Sequence, residues 1–150
     1  MSTFFYENET ENKRTAFISE LLALLKTEES RILGVKGISG YPLPPSMHND
    51  GYGDQRDKMP DILARDLVHD ETIIGIVRLT IEEIESEQSL TELDVFFDQK
   101  DNNGQPCRIL LIVPSTIVAE VNSCITHYLH RDLWQQLTIV AGKKVFTKSK

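Results

Sequence analysis

At 150 residues, with 40% hydrophobic and 26% charged residues, the chain suits one soluble domain rather than an array or a disordered tail. Such a domain buries roughly 70% of the surface its unfolded chain exposes, so it needs no disulfide or metal staple. Its net charge of −7 argues against a strongly basic nucleic-acid footprint, though not against a local basic groove.

The two cysteines, Cys107 and Cys124, form no CxxC and read as free thiols of a reducing compartment. No apolar run approaches the ~18 residues that span a bilayer, and the N-terminus lacks the basic and apolar regions of a signal peptide. The expectation is a cytoplasmic protein without a membrane partner.

In chain order, residues 1–12 are polar and read as a loose lead-in. Residues 13–29 repeat Phe17, Leu21, Leu24 and Leu25 at helical spacing and predict a helix, with Glu20 at the edge of its apolar stripe. Residues 31–39 predict a strand weakened by glycines. Residues 40–60 hold Pro42, Pro44, Pro45 and Pro60 with Gly40, Gly51 and Gly53, so they predict a long loop. Loops of that length inside a domain are usually functional or mobile.

Residues 61–64 and 72–80 predict two strands joined by a polar turn. The acidic run Glu82, Glu83, Glu85 and Glu87 reads as a solvated connection. Ser89 and Glu92 have capping-box spacing and predict a helix over 89–99. Residues 107–114 form a near-continuous apolar strand, which implies burial on both faces. Residues 115–129 predict an amphipathic helix with Ile117, Val121, Cys124, Ile125 and Tyr128 inward. Residues 137–142 predict a last strand, and 143–150 a basic tail. The order α-β-β-β-α-β-α-β implies a three-layer α/β/α domain around a mixed central sheet.

Pro60-Asp61 at the head of one strand, IIGIVRLT fifteen residues on, and the apolar RILLIVP after a helix resemble the PD-(D/E)XK nuclease superfamily, the restriction-endonuclease-like fold. The resemblance covers residues 13–129 and rests on short motifs. It implies a site in which two carboxylates hold Mg²⁺ or Mn²⁺ and a lysine helps activate water for phosphodiester cleavage. Asp61 matches the first acid. The second acid aligns with Ile76 and the lysine with Arg78. Ile76 cannot ligate a metal, and Arg78 cannot serve as a base.

The motif is therefore degenerate. Three functions follow from it as expectations. The domain is an interaction or regulatory module, a possible homodimer with an unknown protein partner. Alternatively it is a metal-dependent nuclease on Asp61 with a migrated carboxylate, Glu20 or one of Glu82, Glu83 and Glu85; Asp54 and Asp57 in the long loop offer another site. Or it is a metal-free nucleic-acid-binding module in which Lys58, Arg78 and the tail hold phosphate. Without a metal, Arg78 is expected to pair directly with Asp61. Cys124, His127 and His130 share one side of a predicted helix but lack a second zinc pair, and read as structural.

Overall fold

The structure is a computed structural model that describes residues 3–143. It is a mixed α/β architecture built on a five-stranded open sheet. The elements are α1 (Thr3–Thr27), β1 (Ser30–Val35), β2 (Ile62–Asp66), β3 (Glu71–Val77), α2 (Ile81–Glu85), α3 (Glu87–Asp98), β4 (Arg108–Pro114), α4 (Val118–Tyr128) and β5 (Leu137–Gly142). Short 3₁₀ turns precede α4 and β5. The spatial order is β1-β2-β3-β4-β5. β1, β2 and β3 form an antiparallel meander, whereas β4 is parallel to β3 and β5 to β4.

Period-two alternation along the strands splits the core into two clusters. On one face Phe17, Leu21 and Leu25 of α1 pack on Ile62, Ile73, Val77, Leu110 and Ile112. On the other, Leu93, Phe96, Val121 and Ile125 of α3 and α4 pack on Ile74, Ile76, Ile109 and Leu111. The apolar run in β4 is buried on both faces because helices cover both.

Several expectations change. The lead-in is helical from Thr3, because no proline or glycine interrupts residues 3–27. Residues 1–2, and 144–150 of the basic tail, lie outside the described residues. The acidic run is not a bare connection. Thr80 caps α2 by accepting the Glu83 amide, and burial of Ile84 anchors the turn. The cap of α3 is Ser86, whose Oγ accepts the Ser89 amide, so the helix begins earlier than the Ser89–Glu92 spacing implies. On α4, Val121 and Ile125 are buried, but Tyr128 is 48% exposed and not part of the inner stripe.

The long loop is pinned rather than loose. Val35 N–H donates to the Pro42 carbonyl, and residues Met47 and Lys58 form a bridge. The buried Asn49 donates to the carbonyls of Tyr52 and Arg56 and accepts the amides of Gly51 and Tyr52. Gln99 of α3 donates to the His48 carbonyl. No helix among the described residues is long and apolar enough to cross a membrane.

Candidate functional site

Adjacent antiparallel strands bring the end of β1, the start of β2 and the end of β3 to one end of the sheet. A cleft of about 520 Å³ opens there. α1 contributes Glu11 and Arg14, the residues after β1 give Lys36, and the residue before β2 is Asp61. Arg78 follows β3, Glu83 comes from α2, and Ser89 and Glu92 come from α3. Crevices beyond strand ends are the usual place for sites in open α/β sheets.

The backbone of Val77 is the hub of this cleft. Its N–H donates to Asp61 Oδ2 at 2.8 Å. Its carbonyl accepts from Arg78 Nη1 at 2.9 Å and from Arg14 Nη1 at 3.1 Å. Asp61 also continues the β2–β3 ladder, its N–H donating to the Gly75 carbonyl. Asp61 is only 7% exposed, and Oδ1 has no hydrogen-bond partner among the described residues. Burial raises its carboxyl above the ordinary aspartate range, against the lowering pull of the Val77 amide, Arg78, Lys36 and Arg14.

Arg78 is 6% exposed and fully engaged on the α3 face. Its Nε donates to Ser89 Oγ at 2.8 Å, and Nη2 lies 3.2 Å from Glu92 Oε2. The expected direct Arg78–Asp61 ion pair is absent among the described residues; the two meet through Val77 instead. The reason is the pleat. Ile76 and Arg78 share a face, and that face is the one α3 covers. On the opposite layer, Arg14 Nη2 pairs with Glu83 Oε1 at 2.9 Å.

The other expected site residues lie elsewhere. Glu20 does not line the cleft; its carboxylate accepts the Lys143 amide just past β5, at 2.8 and 3.0 Å. Lys58 Nζ is bound to Asp54 at 2.8 Å. Ile76, the position the resemblance aligns with a second acid, is 1% exposed within the core. Of the candidate migrated acids, Glu83 reaches the cleft. Glu92, Arg14, Lys36 and Glu11 were not expected there. Glu92 carries a local signal, since it sits on the helical face that begins at Ser89, but its partner is set by packing. His127 stacks edge-on against Tyr128, and His130 caps the turn before β5 by accepting the Asp132 amide.

A second cluster lies at the β2–β3 hairpin, at the far end of these strands. Asp66, His69 and Glu71 bring one potential ligand atom each within 4.8 Å of one another. The buried Asp66 is already used: Oδ1 accepts the Val68 and His69 amides, and Oδ2 lies 2.9 Å from His69 Nδ1. Glu71 faces Arg108 at 3.7 Å. Among the described residues this is the one group of three such ligands, so Asp61, Glu83 and Glu92 do not converge as closely.

No protein-family model, curated protein or solved structure matches the chain.

Proposed function

We propose that the chain is a nuclease-like domain of degenerate site, restriction-endonuclease-like in its core, that serves as a metal-free interaction or regulatory module. The order of helices and strands and the antiparallel-then-parallel sheet support the core assignment. The observation that carries the functional reading is the engagement of Arg78. Where the family would place a lysine, a buried guanidinium ties β3 to Ser89 and Glu92 of α3. Where it would place a second acid, Ile76 fills the core.

These residues do not fit Mg²⁺ or Mn²⁺. Such ions take oxygen ligands, and here a lone buried carboxylate faces the cleft while Glu83 and Glu92 are each matched to an arginine. The cleft's mixed charges also differ from the basic stripe that phosphate backbones select.

A second reading has one observation in its favour. Asp61, Glu83 and Glu92 line the same cleft, so a nuclease with migrated acids would find its carboxylates there. It requires both arginine pairs to open.

Thermal unfolding with and without millimolar Mn²⁺ tests the proposal, on the wild type, Asp61→Ala and His69→Ala. No shift in any of the three is expected. A rise of several degrees in the wild type that Asp61→Ala abolishes overturns the metal-free reading, by the linkage of binding to stability. A shift lost only in His69→Ala places the ion at the hairpin and leaves the cleft metal-free.

A further inference from the structure

The turn between α3 and β4 lies beside the β2–β3 hairpin and carries chemistry of its own. Asn103-Gly104 is the one Asn-Gly pair in the sequence, and both residues are exposed. An asparagine carboxamide can close a five-membered ring on the next backbone nitrogen, and glycine resists least because no Cβ crowds that nitrogen. Gly104 has φ 76°, and a Cβ built on it would meet nothing within 4 Å, so the space around it is open.

Two restraints hold the pair back. Gly104 N–H donates to the Asp101 carbonyl at 3.0 Å, which engages the nitrogen that would attack. Asn103 Nδ2 donates to Asp70 Oδ2 at 3.4 Å, which tethers the carboxamide to the hairpin. Asp101 fixes the turn itself. Its Oδ1 accepts the amides of Asn103 and Gln105 at 2.9 and 3.0 Å, and its Oδ2 lies 3.3 Å from Arg65 Nη1. Arg65 also pairs with Asp70.

We propose that Asn103 is a site of spontaneous deamidation gated by the opening of this turn. The Gly104 nitrogen attacks Asn103 Cγ. The N–Cγ bond forms, the Cγ–Nδ2 bond breaks, and the side-chain nitrogen leaves as ammonia with the Gly104 proton. Water then opens the succinimide at either carbonyl, giving aspartate or isoaspartate. The native rate is that of the free sequence multiplied by the fraction of open turn. The product loses a donor to Asp70 and places a third carboxylate beside Asp70 and Asp101 around Arg65. Isoaspartate also adds a methylene to the main chain inside the loop that the Lys100–Pro106 bridge closes. The modification thus uncouples the hairpin from the entry to β4, and it does so irreversibly.

The test incubates the full chain at mildly alkaline pH beside a capped peptide of residues 99–106. Intact mass and peptide mapping that separates aspartate from isoaspartate follow both. The wild type should gain one mass unit at Asn103 before any other asparagine, about tenfold more slowly than the peptide, the scale of one net hydrogen bond. Asp101→Ala and Asp70→Gly should both move the rate toward that of the peptide. Glycine suits the φ of 54° at position 70, so Asp70→Gly still reads the gate if Asp101→Ala does not fold. Asn103→Asp should melt below the fresh wild type, as the aged protein does. Equal rates in protein and peptide, or variant rates equal to wild type, overturn the gate. A first gain at another asparagine, or none at Asn103 long after the peptide is spent, overturns the site. An Asn103→Asp variant as stable as wild type overturns the uncoupling. None of these readouts depends on the cleft.

Discussion

Asp61 and Arg78 share a cleft but are joined only through Val77, whose N–H donates to the first and whose carbonyl accepts from the second. The arrangement sews the end of β3 to the start of β2 and, through Ser89 and Glu92, to α3. A cation and an acid that could have served chemistry act here as a structural brace.

That brace predicts a large cost for Arg78→Ala. The truncation leaves the Ser89 hydroxyl and the Glu92 carboxylate without their guanidinium, and a loss of about 2–4 kcal/mol is expected in urea unfolding. Ser89→Ala, which removes one neutral acceptor, should cost about 1 kcal/mol. An Arg78→Ala variant as stable as wild type would remove the brace from the account.

Asp61→Asn should raise the melting temperature at neutral pH. Burial holds the folded-state carboxyl above its unfolded value, so the folded state binds the proton more tightly and loses stability as pH rises through that range. The asparagine has no charge to bury. Its advantage should therefore shrink as the pH falls into the carboxylate range. Melting curves at about pH 7 and about pH 4 check this, and an advantage that grows toward acid would contradict it.

The His69 side of the hairpin pair has a dependence of the same sign, in a higher pH range. Hydrogen bonding and charge from Asp66 raise the His69 imidazole, while the His69 and Val68 amides and the ring lower Asp66. The histidine's contribution is complete below its unfolded value, near 6.5, and fades as pH rises through the folded one. The destabilisation of His69→Ala should thus be larger at about pH 5.5 than at about pH 8.5. Equal effects at both would show that the ring contributes only packing.

Burial pushes the Cys107 thiol up to about 11. Cys124 is half-buried on α4. A thiol reagent at neutral pH should label Cys124 first and Cys107 only on unfolding, since the thiolate is the reactive form. Peptide mapping after timed labelling reads the order directly.

Gly34 fastens the long loop to β1. An added Cβ would stand 2.7 Å from Pro44 Cα and 2.8 Å from Pro44 N, closer than carbon atoms tolerate. Gly34→Ala should cost about 1–3 kcal/mol, as overpacking does. It should also make residues 40–60 the first site of limited proteolysis, cut faster than in the wild type.

Much of the architecture was legible in residue order. The stripe of Phe17, Leu21 and Leu25 marks α1, the apolar run of 109–113 marks a strand covered on both sides, and β5 falls at 137–142 as its β-branched residues imply. These are local signals, written every two or every three to four residues, and burial of one face enforces them. That Ile76 and Arg78 are not metal ligands was readable because their chemistry alone excludes ligation.

Tertiary structure decided the partners. Arg14 reaches the Val77 carbonyl across 63 positions of chain, Glu92 reaches Arg78 across 14, and Glu20 is drawn to Lys143 rather than to Asp61. No periodicity encodes such pairings. They depend on which strand ends share an edge and which helix covers which face, and so on the order β1-β2-β3-β4-β5, which exists only once the sheet has closed its hydrogen bonds.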